Sequence, residues 1–306
     1  MLGIDIPIFQ APMTFIARAG LAAAVSEAGA LGVIETASAG GREDLKRVRS
    51  LTERPVAANV ALLMMKDPTI VETLVEAGIG VVSTSAGDPG LFTERFHDAG
   101  LTVFHVVGTL RAAKTAVDAG VDGLVVEGVE GGGFKNLVGA STMVLLPLVA
   151  AAVDVPIVAA GGICDAQSMA AALVLGADGV QMGTRMLASV ESPVHDNFKQ
   201  AIVGADDTAT VLLALEKMPT MRVIRTEAAD RCAATGRWEF DGGLLTVEQL
   251  YTSGDMSCSL ANTGQVAGRI GDVRPVADII SETWTGCLAA LDAARARLGP
   301  AIAPGH

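Results

Sequence analysis

Two glycine-rich turns are candidate sites for binding an anion. Gly161 and Gly162 end the run P-I-V-A-A-G-G, and Gly183 and Thr184 end the run G-V-Q-M-G-T. Each apolar run predicts a strand, and each turn leads directly into a segment with a helical pattern. Glycines let backbone N–H groups approach an anion closely, and a following helix adds the positive end of its dipole. The alternative is that both are simply tight turns into helices.

Eight repeated strand–helix units would position these turns. Apolar runs typical of buried strands alternate with Ala-rich helical patterns up to about residue 189. The runs begin at Ile6, Leu31, Val56, Gly80, Leu101, Gly123, Pro156 and Gly179. Eight units in succession predict a TIM (β/α)8 barrel, with an open doubly wound sheet as the alternative. Barrel enzymes place their chemistry where the strands end, and the loops after the last two strands commonly bind phosphate.

Several of the helical patterns end on the same signal, a glycine just past the last turn. These glycines are Gly29, Gly78, Gly100, Gly120 and Gly176. Glycine readily adopts the left-handed conformation that closes a helix. We therefore expect each of them to begin the loop that leads to the next strand.

The regular alternation stops after about Ser189, which divides the chain into three parts. We predict that residues 1–190 form the barrel. Residues 191–272 contain scattered prolines and the only tyrosine, and we predict that they form a helical cap or lid over the barrel mouth. Residues 273–306 are predicted to form a C-terminal helix that packs back on the barrel.

Composition and charge exclude several classes of protein. Half of the residues are hydrophobic and only 18% are charged, which excludes a disordered chain. The 22 basic and 34 acidic residues give a net charge of −12, which disfavours binding to nucleic acid or to an anionic membrane. The most apolar stretch, residues 144–163, is interrupted by prolines, an aspartate and a glycine pair. We therefore expect a cytoplasmic protein without a membrane span, and the scattered Cys and His residues give no metal-binding spacing.

Few side chains could transfer a proton or hold a charged substrate. His105 shares a strand face with Val103 and Val107, and we expect it to point into the barrel near the mouth. Glu127 ends an apolar strand, where a carboxylate needs a ligand or a partner. Lys135 could present an ammonium group to an anionic substrate. For His105 and Lys135, the structural alternatives are a hydrogen-bonded core histidine and a solvated loop lysine.

A second basic feature lies inside the predicted cap. Arg222 and Arg225 are spaced to share one face of a helix, where they could hold a phosphate of a nucleotide. Exposed ion pairs with Glu227 or Asp230 are the alternative.

Five motifs in a fixed order carry a resemblance to a known family. They are P-I-F-Q-A-P-M near the N-terminus, the Asn59 strand, E-G-V-E-G-G-G, A-A-G-G-I and Q-M-G-T-R. In this order they resemble the nitronate monooxygenase family, formerly called 2-nitropropane dioxygenases, whose relatives include flavin-dependent enoyl reductases. The resemblance extends over nearly the whole chain, including the segment 253–268. It is more specific for fold and cofactor than for substrate.

The resemblance implies an FMN-binding TIM barrel. It places the flavin phosphate on Gly161, Gly162, Gly183 and Thr184. It places the backbone of Ala11, Pro12 and Met13 along the flavin ring. Asn59 and Glu127 are expected to bond ring or ribityl groups, and Gln265 is expected to reach the ring from the cap.

The chain departs from its relatives at one position. They typically read A-G-G-H where this chain reads Gly131-Gly132-Gly133-Phe134, so Phe134 replaces the family's histidine. In the family that histidine is the catalytic base toward neutral nitroalkanes or part of the reductase site, and phenylalanine can neither accept nor donate a proton. A preformed nitronate is already an anion and does not need the base. His105 and Lys135 are the residues that could substitute for it.

The resemblance implies an FMN-dependent oxidoreductase that oxidises an alkyl nitronate or a similar activated small substrate, with O2 as acceptor. An NAD(P)H-dependent reductase of an enoyl thioester or a quinone is the first alternative. A flavin-binding protein with little turnover is the second. The expected partners are a small-molecule substrate, NAD(P)H as an optional co-substrate, and a second copy of the chain if the protein is a homodimer.

Overall fold

A computed structural model describes residues 2–65, 67–136, 138–243 and 245–297. Within these residues the chain forms eleven strands. They are β1 (Ile8–Gln10), β2 (Gly32–Glu35), β3 (Val56–Ala61), β4 (Val81–Ser85), β5 (Thr102–Val107), β6 (Gly123–Glu127), β7 (Gly133–Phe134), β8 (Ile157–Ala160), β9 (Gly179–Met182), β10 (Thr210–Leu213) and β11 (Met221–Ile224).

The same residues form twelve α-helices, most of which follow a strand. They are α1 (Ala19–Glu27), α2 (Ala39–Arg47), α3 (Ile70–Glu76), α4 (Thr93–Asp98), α5 (Leu110–Asp118), α6 (Thr142–Ala150), α7 (Ala166–Val174), α8 (Thr184–Leu187), α9 (Asp196–Val203), α10 (Glu227–Thr235), α11 (Leu245–Ser253) and α12 (Val276–Arg297). Short 3₁₀ turns cover Val48–Ser50, Pro89–Leu91 and Gln265–Arg269. Within the described ranges, no helix combines the length and the apolar character that crossing a membrane requires.

Eight parallel strands form a barrel, in the spatial order β1-β9-β8-β6-β5-β4-β3-β2. The circle closes between β1 and the residue before β2. The Leu31 N–H donates to the Ile8 carbonyl, and the Gln10 N–H donates to the Leu31 carbonyl, both at 2.9 Å. The predicted TIM barrel is confirmed, and each of the eight predicted runs contains one of these strands.

The five glycines predicted to close helices all have a positive φ. The angles range from 68° at Gly78 to 104° at Gly176. The last turn of α1 shows how this works, because the Gly29 N–H donates to Ser26 and the Ala30 N–H donates to Val25. These bonds satisfy carbonyl groups that a helix end leaves free.

Each barrel strand has two buried faces. The inner face carries a compact apolar cluster that includes Phe9, Val33, Val81, Phe104 and Val158. The rings of Phe9 and Phe104 meet edge to face, with centroids 5.6 Å apart. The outer face packs under the helices as part of the main core. Both faces are apolar because helices cover the barrel on the outside.

The segment after the barrel contains helices α9, α10 and α11 and also a sheet that the sequence pattern did not predict. Strand β11 pairs antiparallel with β10 on one side and with β7 on the other. Since β7 belongs to the loop after β6, the small sheet joins the cap to the barrel mouth. Leu213, Met221, Val223 and Cys232 pack between this sheet and α10.

Helix α12 returns to the barrel and packs against α7 and α1. Its buried face includes Val276, Ile280 and Cys287. Residues 298–306 of the predicted C-terminal part lie outside the described residues, and the boundaries near residues 190 and 272 stay predictions.

Candidate functional site

The inner face of the barrel becomes polar at the C-terminal ends of its strands. Asn59, Ser83, Glu127 and Gln181 lie in register with inward-facing positions of neighbouring strands. Asn59 uses its amide nitrogen to donate to the Ser83 hydroxyl at 2.8 Å and to the Ser83 carbonyl at 3.1 Å. These polar side chains lie at the end of the barrel where the sequence predicts the site, and their chemical roles stay predictions.

Gln181 is a mouth residue that the sequence analysis missed. It is paired in register with Phe9, faces the barrel interior and is 6% exposed. Among the described residues, its amide has no hydrogen-bond partner. The sequence signal for this residue is a glutamine that interrupts the apolar strand G-V-Q-M.

The turns after β8 and β9 form a cradle of backbone atoms. Gly161 and Gly162 have φ of 83° and 80°. A Cβ on Gly161 would lie 2.9 Å from the Gly128 carbonyl oxygen, so only glycine fits there. The loops after β6 and β8 therefore touch through their backbones.

The cap completes this cradle from above. The Gly264 N–H donates to the Thr184 hydroxyl oxygen at 2.9 Å, and the Gln265 N–H donates to the Glu130 carbonyl at 2.8 Å. A Cβ on Gly132 would lie 2.8 Å from the Gly264 nitrogen. The side chain of Gln265 is exposed, so it is the backbone of this residue that contacts the loop after β6.

The segment Ala11–Met13 borders the cradle on the β1 side. The Ala11 N–H donates to the Met182 carbonyl at 2.9 Å. A Cβ on Gly183 would lie 3.4 Å from the Ala11 Cβ and 3.9 Å from the Met13 sulfur. The structure thus brings Ala11–Met13 next to the turn after β9, and the expected position of this backbone along the flavin ring stays a prediction.

Lys135 and Glu127 form an ion pair at the mouth. The ammonium nitrogen of Lys135 lies 2.7 Å from Oε1 of Glu127 and 3.0 Å from the Phe134 carbonyl oxygen. The Lys135 side chain is 5% exposed and that of Glu127 is 26% exposed. Lys135 is therefore not a solvated loop lysine, and Glu127 has the partner that its position requires.

Phe134, which is predicted to replace the family's histidine, lies in β7 and pairs with Met221 of the cap. It is 42% exposed, which is high for a phenylalanine in a sheet. No proton-accepting group takes its place within β7.

The prediction that His105 points into the barrel is wrong. Val103 and Val107, which share its face, belong to the core beneath the helices, whereas Phe104 packs inside the barrel. Nδ1 of His105 lies 2.7 Å from the Thr84 hydroxyl on the same outer face. Burial lowers the pKa of His105 to about 4, against a smaller opposing effect of Asp88. His105 is a hydrogen-bonded core residue, which was the structural alternative.

Arg222 and Arg225 do not share a helix. Arg222 lies on β11, is 7% exposed and donates to the Val129 carbonyl at 2.9 Å and to the Thr210 hydroxyl at 3.2 Å. Burial lowers its pKa, although nearby Glu130 acts in the opposite direction. Arg225 instead pairs with Asp230 at 2.7 Å near the surface, as the ion-pair alternative predicted.

Glu130 fixes the loop after β6 from inside. Its carboxylate accepts hydrogen bonds from the backbone and the hydroxyl of Thr142, at 3.0 and 3.1 Å, at the start of α6. Together with Arg222 it anchors the loop that carries Lys135. This anchoring role leaves no mark in the sequence beyond the two glutamates of E-G-V-E-G-G-G.

Comparison with known proteins identifies the family. The sequence profile described as nitronate monooxygenase matches residues 1–69 and 62–285. The chain belongs to this family. The nitronate monooxygenase family is flavin-dependent, and the chain is accordingly an oxidoreductase, as the motifs predicted.

The similar proteins are named for different activities. Nitronate monooxygenase of Pseudomonas aeruginosa is 32% identical over 261 residues, which cover 69% of this chain and 74% of the relative. The (3aS,4S,5R,7aS)-5-hydroxy-7a-methyl-1-oxo-octahydro-1H-indene-4-carboxyl-CoA dehydrogenase of Rhodococcus jostii is 33% identical over 241 residues, covering 77% of this chain and 67% of the relative. The structure of FabK from Thermotoga maritima superposes with a TM-score of 0.88 at 33% identity and covers 97% of both chains.

The residues at the mouth fit a flavin mononucleotide. Among the described residues, the backbone N–H groups of Gly162, Gly183 and Thr184 donate no hydrogen bond. They lie at the ends of β8 and β9, where an incoming phosphate would find free donors. Gln181 adds an amide that faces the barrel interior and has no hydrogen-bond partner among the described residues.

Proposed function

We propose that this nitronate monooxygenase family member binds FMN at the barrel mouth and oxidises an alkyl nitronate, or a similarly activated small anion, with O2 as the final acceptor. The free N–H groups at the turns after β8 and β9 carry the proposal, because they suit the phosphate of this cofactor. When bound, FMN supplies the electron-accepting ring.

The side chains at the mouth have distinct proposed roles toward the cofactor and the substrate. Gly161, Gly162, Gly183 and Thr184 would hold the phosphate, with the backbone of Ala11–Met13 beside the ring. Asn59, held by Ser83, and Gln181 would bond polar atoms of the ring or the ribityl chain, and Gln265 would close the site from the cap. Asn59 is fixed by its hydrogen bonds to Ser83 and Gln181 by burial, so little reorganisation of these two side chains would accompany binding.

Phe134 favours a preformed anion over a neutral substrate. Oxidation of a neutral nitroalkane begins with removal of a proton from carbon, which needs a base in contact with the substrate. The family's base is replaced by phenylalanine, and His105 lies on the outer face of β5. An alkyl nitronate has already lost this proton, so the site would only need to bind and orient it.

A reductase or dehydrogenase acting on a CoA thioester is a second candidate. It is favoured by the relative from Rhodococcus jostii, which is named as a carboxyl-CoA dehydrogenase and has slightly higher identity than the nitronate monooxygenase from Pseudomonas aeruginosa. In this case NAD(P)H or the thioester would exchange electrons with the bound cofactor.

Anaerobic stopped-flow absorbance distinguishes these functions. The purified protein, reconstituted with FMN, is mixed in turn with propyl-2-nitronate, neutral 2-nitropropane, NADH, NADPH and an acyl-CoA, and the flavin band is followed at about 450 nm. Bleaching by the nitronate but not by the neutral nitroalkane supports the proposal. Bleaching only by a nicotinamide or an acyl-CoA supports the second candidate. A protein that retains no flavin after reconstitution with FMN contradicts both.

A further inference from the structure

We propose that Lys135 binds the anionic head group of the substrate and that Glu127 is the positioning residue that holds its ammonium at the barrel mouth. This inference rests on the proposed function, because it names the group that selects the charged substrate. It assigns a role to a pair of residues immediately beside the position where the family's histidine is missing.

The first argument is the hydrogen-bonding capacity of the ammonium group. An ammonium group has three N–H donors. Two of them are used in the structure, one by Oε1 of Glu127 at 2.7 Å and one by the Phe134 carbonyl at 3.0 Å. The third donor has no partner among the described residues. It is available to an oxygen atom of a nitronate, which carries its negative charge on two oxygens.

The second argument is that the position of this cation is fixed. The Lys135 side chain is 5% exposed, so it does not sample the range of conformations of a surface lysine. Its backbone N–H donates to the Thr220 carbonyl at 2.8 Å, which ties it to the cap. Glu127 ends β6 and faces the barrel interior, and it holds the ammonium on the side of the mouth.

The third argument is that the residue packed against the ion pair is a glycine. Gly131 lies against both side chains, and a Cβ at this position would lie 3.0 Å from the Lys135 nitrogen and would collide with Oε1 of Glu127. The absence of a side chain at Gly131 therefore lets the ion pair form. Arg222, a second buried cation that contacts this loop, is directed at the Val129 carbonyl and Thr210 and so serves the loop instead.

The chemical consequence is selection by charge. A charge-assisted hydrogen bond to a nitronate oxygen stabilises the bound anion, whereas a neutral nitroalkane offers no full charge to the same ammonium. The family's histidine forms the anion by removing a proton from the substrate. Lys135, held by Glu127, would instead select a substrate that is already an anion. No proton is transferred in this role.

The test uses the FMN-loaded protein and four variants: K135M, K135R, E127Q and, as a matched control on the exposed face of α5, K114M. Anaerobic flavin bleaching is measured over a range of propyl-2-nitronate concentrations. We expect K135M to raise the half-saturating concentration by about 10- to 100-fold, the range of a charge-assisted hydrogen bond, with a smaller change in the limiting rate. K135R should restore part of the affinity, and K114M should behave as the parent protein.

The role of Glu127 is tested by nitronate binding to the variant E127Q. E127Q keeps a hydrogen-bond acceptor beside Lys135 but removes the charge, so we expect weaker nitronate binding when E127Q and the parent protein are compared at equal flavin occupancy. Inorganic nitrate, a planar anion without an alkyl group, should compete with the nitronate in the parent protein and much less in K135M.

The outcomes separate this inference from the proposed function. If the parent protein binds flavin and is bleached by nitronate, and K135M has the same half-saturating concentration, the inference is wrong while the proposed function stands. The same conclusion follows if K135M and K135R both only lower the unfolding temperature or flavin retention, because this would show a purely structural ion pair. If the parent protein is not bleached by nitronate, the proposed function itself fails.

Discussion

The hydroxyl of Thr184 and the backbone nitrogen of Gly264 are 2.9 Å apart, although 80 residues separate them in the chain. Thr184 begins α8 directly after β9, and Gly264 lies at the point where the cap meets the barrel mouth. Both residues are buried. Because the threonine oxygen accepts this bond, its proton remains available to an anion in the cradle. One hydroxyl thus connects the cap to the proposed phosphate site.

Replacing Thr184 by valine should remove both the hydrogen bond from Gly264 and the proposed contact with the FMN phosphate. T184V leaves the buried Gly264 N–H without an acceptor, which costs about 1–3 kcal/mol. We expect a lower free energy of unfolding in urea and a smaller fraction of FMN retained after gel filtration. T184S keeps the oxygen and is the matched control. Equal FMN affinity in T184V and T184S would contradict the role of this hydroxyl in the cradle.

A comparison of Gly161 with Gly120 allows the effect of close backbone approach on stability to be measured separately from the effect of backbone strain. Both have φ of 83°, but a Cβ on Gly120 would meet nothing within 4 Å, whereas one on Gly161 would lie 2.9 Å from the Gly128 carbonyl oxygen. We expect G120A to cost about 1 kcal/mol, from the left-handed conformation alone.

G161A should carry the same strain and also push the loops after β6 and β8 apart. We therefore expect a larger loss of unfolding free energy than in G120A, and a weaker FMN affinity measured by fluorescence titration. Retention of the parent FMN affinity in G161A would show that the cradle does not bind the cofactor.

Restoring the family's histidine should broaden the substrate range. In F134H an imidazole would occupy the half-exposed position beside the Lys135–Glu127 pair. We expect neutral 2-nitropropane to bleach the flavin in F134H but not in the parent protein. Only the neutral imidazole accepts a proton, so this activity should rise as the pH passes upward through about 6.5.

The control for this gain is F134N, which adds a polar side chain without a proton acceptor of comparable basicity. If F134N and F134H respond equally to the neutral nitroalkane, or if neither responds, the missing base does not explain the substrate range. Nitronate oxidation should persist in both variants.

His105 should make the protein less stable in mild acid. Its pKa is about 4 in the folded protein and about 6.5 in the unfolded chain, so the unfolded state binds more protons between these values. The free energy of unfolding should therefore fall as the pH decreases from about 6.5 to about 4, by at most about 3 kcal/mol.

The variant H105Q keeps a side chain that can bond Thr84 but cannot titrate. Urea unfolding between pH 4 and pH 7 should show a flatter dependence in H105Q than in the parent protein and in the surface variant H97Q. H105Q should still be bleached by the substrate, because the residue lies outside the barrel. If H105Q retains flavin but is no longer bleached by the substrate, His105 contributes to catalysis.

Features that depend on neighbouring residues in the chain could be predicted from the sequence. The eight strands are short apolar runs, and the glycines after α1, α3, α4, α5 and α7 adopt the left-handed conformation because a helix end needs it locally. Eight units in succession then define the barrel, and the barrel defines the end that carries the site. Asn59 and Glu127 could be placed at the mouth for this reason.

The orientation of His105 shows where this reasoning fails. Alternation along β5 correctly grouped His105 with Val103 and Val107. It could not tell which of the two groups faces inward, because Phe104 and Val106 are just as apolar. A strand of a parallel barrel is buried on both sides, so hydrophobicity does not distinguish its faces.

The pairing of the cap with the barrel loop, and the contact between Lys135 and Glu127, depend on tertiary structure for a related reason. Strand β7 has two residues and β11 has four, too few for an alternating pattern to be read, and their pairing joins residues far apart in the chain. That pairing sets the path of residues 128–135 and so brings Lys135 onto Glu127. The sequence by itself determined the barrel, its glycine turns and the family. Only the long-range packing of the cap on the loop after β6 determined which charged groups meet at the mouth, because contact between distant segments leaves no local period in the sequence.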